Sequence, residues 1–190
     1  MTINTIVVGP LATNCYIVSG NGKTCAVIDP GAESIKIKTY LEQNGLTCDG
    51  ILITHGHQDH TSGLAKLEDY TKAPVYVGAA DAYRMPIQGC KTVGEGDVIN
   101  AGGLEFKVIE TPGHTEGGVC YICEGSMFAG DTIFYESVGR TDFPGGDFAV
   151  LRRSLQKIDA LPYEDLDIYP GHMQKTTLAH EREYNPFFER

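Results

Sequence analysis

The sequence predicts an α+β fold in which two sheets are covered by helices, and three observations carry that expectation. Apolar runs of strand length come in groups, with amphipathic helical stretches set among them. No linker, repeat or low-complexity tract interrupts the chain. Its 190 residues, 42% of them hydrophobic and 21% charged, suit one folded domain over residues 1–190, long enough to bury a core without disulfide staples.

Taken in order, "NCYIVSGNGKTCAVIDPG" reads as two strands joined by "SGNGK", a turn rich in residues that tolerate positive φ. The segment "GNGKT" imitates the end of a phosphate-binding loop, but Ile17 stands where its first glycine is required, and "CAVID" continues as strand where a helix should begin. "SIKIKTYLEQNG" has Ser34 at its start and Gly45 after it, which are helix entry and exit signals. "CDGILIT" is a strand, and "SGLAKLEDY" a helix with Leu64, Leu67 and Tyr70 spaced along one face. "APVYVG" is a strand, "AADAYR" a short helix, and "LEFKVIETPG", "GVCYIC" and "SMFAGD" are successive strands. Asp147 is placed to cap "FAVLRRSLQKIDAL", whose Phe148, Leu151, Leu155 and Ile158 keep a helical rhythm. "DLDIYPG" supplies a last strand and "TTLAHEREY" a last helix.

The formal net charge of −10 offers no basic stripe for a phosphate backbone, so nucleic acid is not an expected partner. The start "MTINTIVVGPLATNCY" lacks the pattern of an export signal, and no apolar run reaches membrane-spanning length. The six cysteines, 15, 25, 48, 90, 120 and 123, are scattered rather than framed for disulfides. A cytoplasmic protein acting on a small molecule is expected, and these patterns specify no oligomeric state. Cys120 and Cys123 form a Cys-x-x-Cys, but on a strand they face opposite ways and no second pair completes a thiolate site, so they read as core.

The stretch "ITHGHQDHTSG", residues 53–63, concentrates ligand chemistry: His55, His57, Asp59 and His60 lie within six positions. Three further ligand types follow strands, His114 in "TPGH", Asp131 in "FAGD" and His172 in "YPGH". Strand ends gathered at one edge of a sheet would bring these side chains together, with Pro112 and Pro170 stopping the ladder and the glycines after them turning the chain. His55 and His57, two apart on an extended segment, point the same way and share one ion, which His114 completes. Asp59 and His60, at the start of the next helix, face elsewhere and serve a second ion with His172. Asp131 has two oxygens and bridges both ions. Imidazole and carboxylate suit two divalent cations, zinc first, with iron or manganese as alternatives. Asp29 in "VIDPG" either orients a ligand histidine from behind or caps a turn. His180, the sixth histidine, reads as part of a solvated helix face.

Together "NCYIV", "VIDPG", "THGHQDH", "TPGHT", "FAGDTIF" and "YPGH", in that order, resemble the metallo-β-lactamase superfamily across essentially the whole chain. The resemblance implies a four-layer αβ/βα sandwich, a two-metal site between loops at one edge, ligands at the seven positions named, and a water or hydroxide bridging the ions. "GDTIF", "SVGRTDFPGGD" and the ending "YPGH" to "EREYNPF" are most similar to glyoxalase II-type hydrolases, the hydroxyacylglutathione hydrolase group. In longer members a C-terminal helical extension contributes glutathione contacts; here 18 residues follow His172, and "YPGHMQ" replaces the more usual Gly-Pro after that histidine.

Two cations acidify a shared water and polarise the carbonyl it attacks, so no protein nucleophile is required, and no Gly-x-Ser-x-Gly elbow occurs. The narrower resemblance, with the seven ligands, implies a thioester substrate, whose thiol of pKa about 8.5 leaves without much help from an acid. Asp59 orients the hydroxide or carries a proton. Arg140, in the loop after Asp131, either holds a substrate carboxylate or is an exposed loop arginine, and Tyr135 has the same two readings. The rival chemistries are hydrolysis of a lactone or other ester, and a mono-iron sulfur dioxygenase with two histidines and a carboxylate on the metal. A metal-stabilised binding module is the non-enzymatic rival, disfavoured because structural zinc sites are closed and thiolate-rich.

Overall fold

The computed structural model describes residues 1–188. One six-stranded sheet has the order β1 (Thr2–Val8), β2 (Thr13–Ser19), β3 (Thr24–Ile28), β4 (Thr47–Ile53), β5 (Val75–Gly78), β6 (Lys91–Val93). Its first three strands are antiparallel and the rest parallel. The second six-stranded sheet runs β14 (Thr176–Thr177), β13 (Asp167–Pro170), β10 (Ser126–Gly130), β9 (Val119–Cys123), β8 (Leu104–Glu110), β7 (Val98–Ala101). A separate two-stranded hairpin pairs β11 (Ile133–Phe134) with β12 (Ser137–Val138). Helices α1 (Ser34–Gln43), α2 (Gln58–Thr61), α3 (Leu64–Thr71), α4 (Phe148–Asp159) and α5 (Leu178–Tyr184) complete the fold, with a 3₁₀ turn at Ala79–Arg84. Among the described residues no helix is long and apolar enough to cross a membrane.

Strand alternation builds the layers. In β2, Cys15 and Ile17 pack with Ile37 and Leu41 of α1 and Leu64 and Leu67 of α3, while Tyr16 and Val18 point the other way. That other face meets Phe106 and Val108 of β8, Tyr121 of β9 and Phe128 of β10, the core between the sheets. Ile122 of β9 and Met127 and Ala129 of β10 then face Leu155 and Ile158 of α4 and Leu178 of α5. Three apolar interfaces separate four layers, helix, sheet, sheet, helix. Cys120 and Cys123 obey the same rule, one under the outer helices and the other between the sheets, both buried.

Local signals act where their chemistry is satisfied. Gly45 ends α1 at φ 62°, with Leu46 N–H donating to the Leu41 carbonyl and Gly45 N–H to that of Glu42. Asp147 accepts from Val150 N–H at 3.1 Å, and Thr177 caps α5. Asn21 takes the amides of Lys23 and Thr24 at 2.9 Å each, which closes the β2–β3 turn that resembled a phosphate loop.

Three details differ from the sequence expectation. Ser34 opens α1 from inside, the cap position being Glu33 in left-handed conformation without a side-chain cap bond. Tyr70 is 43% exposed, because two steps of three residues rotate it about 120° from Leu64. Phe148, at the outer end of α4, is exposed and meets the Phe187 ring edge-on. Pro170, as expected, is where the ladder ends: it is the last residue of β13 and the last partner in the parallel pair, opposite Gly130.

Candidate metal centre

Strand direction gathers the ligands. In the second sheet β8 and β10 both run antiparallel to β9, and β13 is parallel to β10, so three strands leave the sheet at the same edge. His114, Asp131 and His172 follow those three ends, and His55 follows β4 of the facing sheet. Seven predicted residues therefore meet in one place. Three groups of three could each hold an ion, with candidate ligand atoms within 4.8 Å of one another: His55, His57, His114; His55, His60, Asp131; and Asp59, His60, His172. The first and third are the two triads expected from spacing. Asp131 joins them, its Oδ1 3.3 Å from His60 Nε2 and its Oδ2 3.5 Å from Nε2 of both His114 and His172.

Hydrogen bonds behind the rings decide which nitrogens face inward. His114 Nδ1 lies 2.6 Å from the Arg140 carbonyl and His172 Nδ1 3.1 Å from that of Leu11; a carbonyl only accepts, so both Nδ1 atoms carry the proton. His60 Nδ1 donates to Asp29 Oδ2 at 2.9 Å. Thr54 Oγ1 donates to the same oxygen at 2.6 Å, which leaves it to accept from His55 Nδ1 at 3.1 Å. Four Nε2 lone pairs thus converge, while His57 presents Nδ1, 2.9 Å from His114 Nε2. Buried His55 Nε2, His60 Nε2 and Asp131 Oδ1 have no hydrogen-bond partner. Such orphaned acceptors are costly unless something else binds them, and a cation fits this donor set.

The electrostatics agree. Burial and the neighbouring imidazoles of His60 and His114 hold His55 well below the usual histidine range, so its lone pair stays available. His57 is held down by burial and by His114. For Asp131 and Asp59 burial pushes upward, but His60 at the first and His172 at the second outweigh it, and both carboxyls sit below their ordinary range. His60 is the exception: Asp131 and Asp29 pull it up, against its burial, so without an ion its Nε2 holds a proton that a cation would displace. The two carboxylates require positive charge between them, which a divalent ion supplies.

Two buried acids hold this arrangement. Asp29, 2% exposed and at φ 51°, takes the Thr54 amide on one oxygen and Thr54 Oγ1 and His60 on the other, so it orients a histidine rather than merely capping a turn. Asp81 was not singled out in the sequence. Fully buried in the 3₁₀ turn, it accepts from Gly56 N–H at 2.7 Å, Thr115 Oγ1 at 2.7 Å and Gly117 N–H at 3.1 Å, tying the His55–His57 loop to the His114 loop. A lone acid in "AADAYR" carries no spacing signal that reveals this.

An open cleft of about 720 Å³ lies above the cluster, lined by His57, Asp59, His114, Asp131 and His172 and by the residues of its walls. Arg140 lines it, but its Nε and one terminal nitrogen each lie 2.6 Å from the Asp142 carboxylate, and its guanidinium stacks on Phe143 at 3.9 Å. Tyr135 is not on the wall; its ring stacks on His180 at 4.8 Å, and Phe134 lines the cleft instead, because adjacent residues of the hairpin face opposite ways. His180 is not simply solvated either: it is half-buried and pairs with Glu136 at 3.0 Å.

Comparison with known proteins agrees with this geometry. The hydroxyacylglutathione hydrolase GloC of Haemophilus influenzae is 30% identical over an alignment 209 positions long, gaps included, spanning 98% of each chain. The crystal structure of BLEG-1, described as a B3 metallo-beta-lactamase, superposes with a TM-score of 0.89 at 31% identity over 98% of this chain and 99% of that one. TTHA1623, crystallised in a di-iron-bound form, gives 0.87 at 34% identity over 97% and 100%. Residues 8–172 match the model of the Metallo-beta-lactamase superfamily, and with the four layers and the ligand edge they show that this chain belongs to that superfamily.

Proposed function

We propose that this protein is a binuclear metal-dependent hydrolase that cleaves thioesters, in the manner of a hydroxyacylglutathione hydrolase. The observation that carries the reading is the pair of triads joined by Asp131, in a chain similar over its whole length to GloC. His55, His57 and His114 would hold one ion, Asp59, His60 and His172 the other, and Asp131 both. Zinc suits the donors, and iron or manganese does as well. When bound, such ions supply a nucleophile from water near neutral pH and polarise the scissile carbonyl.

The protein's own groups do the rest. Asp59 lines the cleft, is held ionised by His172, and receives Thr13 Oγ1 at 3.2 Å, so it is oriented to accept a hydrogen bond from the attacking water. The Nδ1–H bonds to the carbonyls of Leu11 and Arg140 keep two ligand rings from turning as charge develops. No acid is required for the leaving group, since a thiol of pKa about 8.5 departs as thiolate.

The test is elemental analysis of protein loaded with zinc, iron or manganese, followed by turnover of S-lactoylglutathione, simple acyl thioesters, a lactone and a β-lactam, with oxygen uptake recorded. Two ions per chain and thioesters cleaved faster than the oxygen esters are expected. Protein holding two ions yet inert toward every thioester would sink the reading; oxygen consumption with one iron per chain would replace it by a sulfur dioxygenase.

A further inference from the structure

The cleft wall raises the question of which end of a substrate it recognises. Leu11, Phe143 and Met173 are 64%, 46% and 60% exposed, and with Phe134 and Val138 they give the cleft an apolar wall beside the ligands. They are not loosely placed. The Leu11 carbonyl receives His172 Nδ1–H, the Met173 carbonyl receives Asn14 Nδ2 at 2.9 Å, and the Phe143 ring meets His57 edge-on at 5.8 Å. Met173 itself sits at φ 67°, a conformation a methionine adopts only when its surroundings hold it there. Exposed apolar side chains carried on a held backbone beside a reaction centre mark a surface suited to an apolar ligand group.

Charge points the same way. Among the described residues lining the cleft, Arg140 is the one lysine or arginine, and Asp142 engages it through two donors. A substrate carboxylate would have to displace a carboxylate tethered two residues away, which removes most of its gain. The formal net charge of −10 adds repulsion for an anionic substrate.

Resting on the thioester reading, we propose that the cleft selects its substrate by an apolar, uncharged acyl arm laid against Leu11, Phe143 and Met173. Neutral thioesters with a medium-length acyl chain are then better substrates than glutathione thioesters, whose thiol portion carries two carboxylates.

Acyl-N-acetylcysteamine thioesters of two to eight acyl carbons, compared with the same acyl groups on glutathione, test this. KM is expected to fall about 2- to 4-fold per added methylene over the first few carbons. The slope should flatten in Phe143→Ala. Asp142→Asn, which frees Arg140, should improve glutathione thioesters about 2- to 5-fold relative to neutral ones. Calorimetry with two thioethers that cannot be hydrolysed, S-octyl-N-acetylcysteamine and S-octylglutathione, reads the preference without turnover. A KM independent of chain length, or a tenfold preference for the glutathione compounds, overturns the inference. If no thioester is cleaved while the neutral thioether still binds more tightly, the reaction class fails and the apolar selection stands.

Discussion

His172 and Met173 are consecutive, yet they belong to two differently built parts of the cleft. His172 turns Nε2 to within 3.1 Å of Asp59 and anchors its other nitrogen on a carbonyl 161 positions away. Met173 projects 60% of its surface and offers the protein only its own carbonyl. The same contrast runs through the site: on the floor four of the five imidazoles are oriented by a hydrogen bond to their outer nitrogen, whereas on the rim Leu11 and Met173 are held through their backbone carbonyls and expose their side chains. A floor built this way tolerates no replacement, because its atoms act jointly. A rim built this way can change its side chains and alter only what is bound.

Substitutions from floor to rim measure that difference. Asp131→Ala removes the one side chain that reaches both triads, and should lower kcat/KM by more than about 100-fold, beyond the range of supporting partners, with fewer than two ions per chain by elemental analysis. Gly171→Ala touches no ligand by name, but its Cβ would stand 2.2 Å from Asp131 Oδ1 and 2.6 Å from His60 Cε1. Its ion content should fall nearly as far, and two tightly held ions in this variant would show that the floor is less rigid than described. Asp29→Asn keeps a residue type that tolerates the left-handed backbone but supplies one acceptor oxygen where three donors converge; chelator competition should find ions held about 10- to 100-fold more weakly.

Asp81→Asn sits farther from the ligands and should act chiefly on stability, by about 2 kcal/mol in denaturant unfolding, since buried bonds to a carboxylate are lost. Leu11→Ala, on the rim, keeps the carbonyl that His172 uses and should raise KM by about 2- to 5-fold with ion content unchanged. A rim variant that lost an ion would erase the distinction between the two regions.

The candidate ligand set was legible because its chemistry is local. Spacing of two on an extended segment sends His55 and His57 the same way, and the start of a helix turns Asp59 and His60 aside, whatever lies around them. Alternation likewise sorted Cys120 from Cys123. Sequence reading stopped short where a distant partner decides. Tyr135 and Arg140 both follow the Asp131 strand, but one stacks on His180 of α5 and the other is taken by Asp142. Asp81 is a lone acid until Gly56, Thr115 and Gly117 surround it. β1, with only two of its seven residues buried, has too little apolar alternation to announce itself as an edge strand.

By itself the sequence determined the family, the layers and the identity of seven candidate ligands, because residue type, short spacing and strand alternation act over a few positions. Only the tertiary structure decided which nitrogen each ring turns inward, which partners hold the rings from behind, and that the rim is apolar with its cation already engaged. Those outcomes depend on hydrogen bonds and contacts between segments far apart in the chain, such as His172 to Leu11 or His57 to His114, and a proton's position on imidazole follows from the partner it meets.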